Sequence, residues 1–330
     1  MRTPRLMERT AALFLLLAVD CAKAFQAQQQ AVHEGCVPVA KTCLYVREIG
    51  QGPPMVVIHG GPDFDHNYLL PEFDRLADSF HLVYYDQRGR GRSVDRVRPE
   101  EVTMNSEIED LDTIRQHFRF GAPALLGHSW GAVIAVEYAL RHPERVSRLI
   151  LMNPAPVSAS DHQLMRKEYA RALGSDMDRQ RAMVAGPAYQ RADPEAVIAR
   201  YRIHFKRALA RPDDYEKLMT RMKAAFVRQG SAGILKARAV EDRLMNGTWD
   251  RSDYDLLPKL RTLNVPTLVI YGDHDFIPVE ISTHIVSAVP KASLVTLENC
   301  GHFSYLECPA DVHNVLNDFF RRTLGAGRAR

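Results

Sequence analysis

Short runs of almost wholly apolar residues recur along this chain, separated by stretches in which apolar residues return at helical spacing. The runs cover residues 55–59, 81–85, 124–126, 149–152, 267–271 and 293–297. A strand that is apolar on both faces has to be covered on both faces, which is the condition of a parallel sheet. Residues 68–77, 105–118, 132–141, 279–288 and 309–324 read as helices between the runs. This alternation predicts an α/β fold with a doubly wound, mostly parallel central sheet and helices on both faces. Residues 44–49 fit an early antiparallel strand of the same sheet.

The alternation stops after Pro154. Residues 156–261 show no clear strand and read as helices broken by Gly174, Gly186-Pro187, Pro194, Pro212 and Gly230. That segment is too long for a loop. It is expected to be a helical cap over the carboxyl edge of the sheet, leaving 25–155 and 262–330 as the core. The cap holds 21 Lys and Arg against 14 Asp and Glu, either as a solvated face or as an entrance that favours anionic substrates. Over all 330 residues the balance is 43 to 40, with no basic block and no zinc-finger spacing. Nucleic-acid binding is therefore not expected.

The amino terminus stands apart. Arg2, Arg5 and Arg9 precede an apolar run over 11–19, followed by Ala22-Lys23-Ala24. A basic start, a short apolar segment and an A-x-A site make residues 1–24 a secretory signal, cleaved after Ala24. The run is shorter than a bilayer span, so no stable membrane insertion is expected after cleavage, and the destination is the periplasm or the extracellular space. Lipid attachment at Cys21 is disfavoured by Asp20, because that processing requires a small residue. Export leaves Cys36, Cys43, Cys300 and Cys308 in an oxidising compartment. The close pairs, Cys36–Cys43 and Cys300–Cys308, are the simplest connectivity, and four buried thiols are the alternative.

Gly127-His128-Ser129-Trp130-Gly131 is a G-x-S-x-G pentapeptide set between an expected strand and an expected helix. A serine at a tight strand-to-helix turn needs small neighbours, and its hydroxyl is presented at the sheet edge. The competing role is that of a helix N-cap. As a nucleophile Ser129 needs a base and a group to orient that base, each at the end of a later strand. His302 follows the last expected strand. Asp273 and Asp275 both follow the strand at 267–271. Backbone N–H groups of Trp130 and of Gly61, in His59-Gly60-Gly61-Pro62, are the expected oxyanion donors.

Taken together, HGGP at 59–62, DQRGRGRS at 86–93, GHSWG at 127–131, G-x-x-D at 272–275 and Gly301-His302 resemble the α/β-hydrolase family, in its prolyl-iminopeptidase-like branch. The resemblance covers residues 44–154 and 263–322. It implies an α/β-hydrolase fold with an inserted cap, and Asp275 as the acid. It also implies release of an N-terminal residue, often proline, from short peptides through an acyl-enzyme, without a cofactor. An esterase or amidase with the same triad is the alternative, and a non-catalytic binding protein a remote one. The chain departs from the branch at Asp63, where a glycine is usual. The branch holds the substrate amino group with acidic cap residues, for which Glu168, Glu195, Glu216 and Glu241 are the candidates. Asp86 and Arg88 are expected to form a buried ion pair. A metal site built from His59, Asp63, Asp65 and His66 fits no known ligand spacing, so no metal is expected.

Overall fold

The computed structural model describes residues 31–40 and 42–324. The expected signal at 1–24 lies outside the described residues. Eight strands form one sheet in the order β1-β2-β4-β3-β5-β6-β7-β8. They are β1 (His33–Val39), β2 (Thr42–Ile49), β3 (Pro54–Ile58), β4 (His81–Tyr85), β5 (Ala124–His128), β6 (Arg148–Met152), β7 (Thr267–Gly272) and β8 (Ala292–Leu297). β1 and β2 pair antiparallel, β2 lies antiparallel to β4, and every later pairing is parallel.

The expected parallel strands are all present. Successive residues of each central strand feed opposite layers: Val56 and Ile58 pack into one hydrophobic cluster, Met55 and Val57 into the other. β8 differs from the expectation. It lies at the sheet edge and is buried only at Leu297 along its length, although its sequence is as apolar as its neighbours'.

The helices are α1 (Met104–His117), α2 (Trp130–Arg141), α3 (Ala159–Leu173), α4 (Asp176–Ala185), α5 (Pro187–Gln190), α6 (Pro194–His204), α7 (Pro212–Gly247), α8 (Leu257–Leu260), α9 (Val279–Ala288), α10 (Ser304–Glu307) and α11 (Pro309–Leu324). α7 breaks at Gly230, whose φ of 66° no helix accommodates. Between β6 and β7 the chain is helical from α3 to α8 apart from a single bridge, Ser158 to Asp255. Among the described residues no helix is long and apolar enough to cross a membrane.

Two local expectations are corrected. The helix expected at 68–77 is two 3-10 segments, His66–Leu69 and Glu72–Asp78, because Pro71 lacks an N–H and its ring blocks a continuous helix. Asp86 and Arg88 do not pair with each other. The turn after β4, closed by Arg90 N–H on the Gln87 carbonyl, swings Arg88 onto Asp110 of α1. Asp86 stays behind and accepts from His66 Nδ1 at 2.6 Å and from the Arg92 N–H at 2.8 Å. Both close cysteine pairs are bonded, Cys36–Cys43 across the β1-β2 hairpin and Cys300–Cys308 around the loop after β8.

Candidate active site

In this sheet the chain runs from β3 to β4 on one side and then returns to add β5 on the other. A crevice opens at the carboxyl ends of strands where the order reverses in this way. The loops leaving β3 and β5 carry Gly61 and Ser129. Ser129 takes φ 53° and ψ −119°, a conformation that costs a non-glycine residue about 1–3 kcal/mol. The strain is held by three backbone bonds: its N–H donates to Met152, and its carbonyl accepts from Ala132 and Ala155. The flanking glycines are needed for close passage. A Cβ at Gly131 would collide with the Ile58 carbonyl, and one at Gly127 with the Gly131 carbonyl. The Ser129 side chain makes no capping bond to α2, so it does not serve as an N-cap.

His302 lines the same cavity as Ser129. Its Nδ1 lies 2.9 and 3.1 Å from the two carboxylate oxygens of Asp275. Both side chains are buried. An ionised carboxylate only accepts, so Nδ1 carries the hydrogen and Nε2 is left basic. Asp275 is itself held by the Ile277 N–H at 2.9 Å and by Asn153 Nδ2 at 2.9 Å. Asn153, at the end of β6 with φ 46°, also donates to the Gly301 carbonyl and accepts from the Ser304 hydroxyl at 2.6 Å. Asp273 is engaged elsewhere, by the Cys300 N–H and His274.

A second chain of hydrogen bonds runs beside Ser129. Gly60 N–H donates to the Tyr68 hydroxyl at 2.7 Å, which lies 2.7 Å from His128 Nδ1, while His128 Nε2 lies 2.9 Å from the His302 carbonyl. Since a carbonyl only accepts, Nε2 is protonated and the tyrosine donates to Nδ1. Burial pushes the His128 pKa well below its ordinary value, so the ring stays neutral. His128 thereby ties the Gly60-Gly61 loop to the loop that carries His302. Gly61, at φ 130°, lines the cavity. Trp130 is the first residue of α2, so its N–H has no partner within the helix. Its indole is buried perpendicular to Trp249 at 5.0 Å.

The cavity measures about 560 Å³. One wall is aromatic: Phe64 meets Tyr201 edge-on at 5.0 Å, and Phe205 meets Phe303 at 5.0 Å. The carboxylates stand beside it. Asp63 accepts from the Tyr201 hydroxyl at 2.5 Å, and burial raises its pKa. Burial and the Asp63 charge together push Glu241 up to about 8. Arg200 lies over the Tyr201 ring at 4.5 Å and offsets part of this negative charge.

Of the four glutamates expected to meet an amino group, only Glu241 lines the cavity. Glu168, Glu195 and Glu216 pair at the surface with Arg171, Lys223 and Arg202. His59, Asp63, Asp65 and His66 do not converge. His59 is held by Gly60 and Gln87, Asp65 by Arg228, and His66 by Asp86.

The chain between β6 and β7 grips the loop that carries His302. The His302 N–H donates to the Ala208 carbonyl at 2.7 Å. Glu307 accepts from Gly301 N–H at 2.6 Å and from Arg211 N–H at 2.8 Å. A Cβ at Gly301 would collide with the Ala208 carbonyl.

Residues 53–309 match the alpha/beta hydrolase fold family. A proline iminopeptidase of Lactobacillus helveticus is 28% identical over 283 residues, covering 83% of this chain and 92% of the relative. One from Saccharolobus solfataricus is 27% identical, covering 82% of this chain and 85% of its own. Among solved structures, the proline iminopeptidase of Mycobacterium smegmatis superposes with a TM-score of 0.67 at 21% identity, over 89% of this chain and all of the other. VinJ superposes with a TM-score of 0.71 at 24% identity, over 88% of this chain and 99% of its own. On these grounds the chain belongs to the α/β-hydrolase fold family and is a hydrolase.

Proposed function

We propose that the protein is an exported serine aminopeptidase that releases N-terminal proline or a similar residue from short peptides. The observation that carries this reading is the pairing of Asp63 and Glu241 with an aromatic wall in the cavity shared by Ser129 and His302. A substrate ammonium group would sit against the two carboxylates, with its ring or side chain on Phe64, Tyr201 and Phe205. His302 removes the Ser129 proton while Asp275 holds the imidazole and stabilises its cation. Ser129 attacks the first peptide carbonyl, and the N–H groups of Gly61 and Trp130 receive the oxyanion. The tetrahedral intermediate expels the remaining peptide as an amine, which takes its proton from His302. Water, deprotonated by His302, then hydrolyses the acyl-enzyme. The iminopeptidase relatives support this substrate class, and the residues named in the mechanism are all this chain's own.

The test is a pair of prolyl arylamides, one with a free and one with an acetylated amino group, run beside short acyl esters. Cleavage of the free arylamide alone is expected, with Ser129→Ala lowering kcat by several orders of magnitude. Equal cleavage of the acetylated compound would make the enzyme an esterase or amidase instead. Full activity in Ser129→Ala would remove the nucleophile.

A further inference from the structure

Several arginines of this fold face a carboxylate on another element: Arg47 meets Asp74, Arg90 meets Glu107, and Arg221 meets Glu72. The cavity above Ser129 holds two that do not. Arg166 of α3 and Arg181 of α4 both line it. Arg166 has no ion-pair or hydrogen-bond partner among the described residues. Among the described residues Arg181 is ion-paired only with Asp178, a turn away on the same helix, at 3.4 Å and with both side chains largely exposed. Such a contact holds a guanidinium weakly. Two positive groups on two different helices are thus left facing the chamber that holds the reacting hydroxyl.

Asp63 and Glu241 of the same chamber neighbour Arg200 and Arg238, whereas the Arg166 charge acts, together with that of Asp250 in the cavity wall, on His162, which stacks on Trp249 at 4.4 Å. The cavity therefore carries groups of both signs, with Arg166 and Arg181 on elements other than those that carry Asp63 and Glu241. A short peptide likewise carries both charges, an ammonium at one end and a carboxylate at the other. We infer that Arg166 and Arg181 bind the C-terminal carboxylate of a di- or tripeptide whose N-terminal residue is held at Asp63 and Glu241. This rests on the aminopeptidase reading and narrows it to peptides with a free C-terminus.

Size agrees with the chemistry. A cavity of about 560 Å³ falls in the range that encloses small ligands, and each extended residue adds about 3.5 Å of reach. Met165 and Met177 also line the cavity. Their unbranched thioethers adapt to different side chains, so recognition of the departing part falls to its charge. Guanidinium forks suit a carboxylate because both oxygens can be engaged at once.

The experiment compares Pro-Ala and Pro-Ala-Ala with their C-terminal amides at low ionic strength. Each pair shares the scissile bond, so the ratio of kcat/KM, acid over amide, is independent of how much enzyme is folded. We expect a ratio of about fivefold or more in the native protein, shrinking in 0.5 M salt as about 3–5 Å screening lengths are reached. Arg166→Gln and Arg181→Gln should each lower the ratio, and together bring it close to one. Equal turnover of acid and amide by the native protein, or a ratio that survives the double substitution, would overturn the assignment. If a prolyl arylamide is cleaved while the ratio is one, only the carboxylate assignment fails. If no free N-terminal prolyl substrate is cleaved at all, the aminopeptidase reading fails and takes this inference with it.

Discussion

Glu241 is the residue on which substrate capture is expected to turn. Burial and the Asp63 charge push its carboxyl up to about 8, so its ionised form is lost as pH falls through that range. Attraction for an ammonium group requires the ionised form. KM for a free-amine substrate should therefore rise as pH falls through 8, approaching tenfold per unit where this ionisation dominates. Glu241→Gln should flatten the profile, and the measurement is KM against pH for both proteins on one prolyl arylamide. A break near 8 that persists in the variant would assign it to another group. Ser129, Asp275 and His302 could be singled out in the sequence because each comes soon after a strand, and the structure puts Ser129 and His302 in one cavity with Asp275 bonded to His302. Asp273 competed on the same ground; the family resemblance favours Asp275, and it is Asp275 that His302 is bonded to. Asn153, Tyr68 and His128 were not read as parts of the site. Their contacts are bonds between loops distant in sequence. The one available signal was the position of Asn153 at the end of β6, the same kind of position that marked the triad.

Among the elements, the loop that carries Asp65 and His66 depends on a buried charge. Burial alone would raise the Asp86 carboxyl, yet His66 and the backbone N–H groups around it hold it at about 2. That value lies below the ordinary carboxylate range of about 4, so the pair stabilises the fold above that range and the contribution is lost as pH falls through 2. His66→Ala would leave the carboxylate buried without its partner. The expected cost is about 3 kcal/mol, read as a lower midpoint in chemical denaturation at neutral pH. An unchanged midpoint would show that the backbone donors suffice. The parallel strands were evident because burial on both faces leaves a continuous apolar run. β1 was not, since its exposed residues at the sheet edge carry no such pressure. The 3-10 pair around Pro71 was misread as one helix because its apolar spacing over Tyr68, Leu69, Phe73 and Leu76 matches a helical face.

At the scale of the whole molecule, each disulfide closes a short stretch of chain, and Cys300–Cys308 encloses His302. With a sequence separation of 8, loop-closure entropy assigns this link about 2.5 kcal/mol. The double variant Cys300→Ser with Cys308→Ser should unfold at lower temperature by a corresponding amount, and thermal melts with and without reductant test it. Equal melting in both states would make the link dispensable. The expected helical insertion was legible from its length and its lack of strands, but its hold on the core was not. The carbonyl of Ala208 and the N–H of Arg211 are bonded to the same short loop that presents His302. Anyone transplanting the helical segment of a relative onto this sheet would, by cutting at those two residues, also loosen the loop that carries His302. A well-folded chimera therefore has to keep the junction and vary only the helices beyond it.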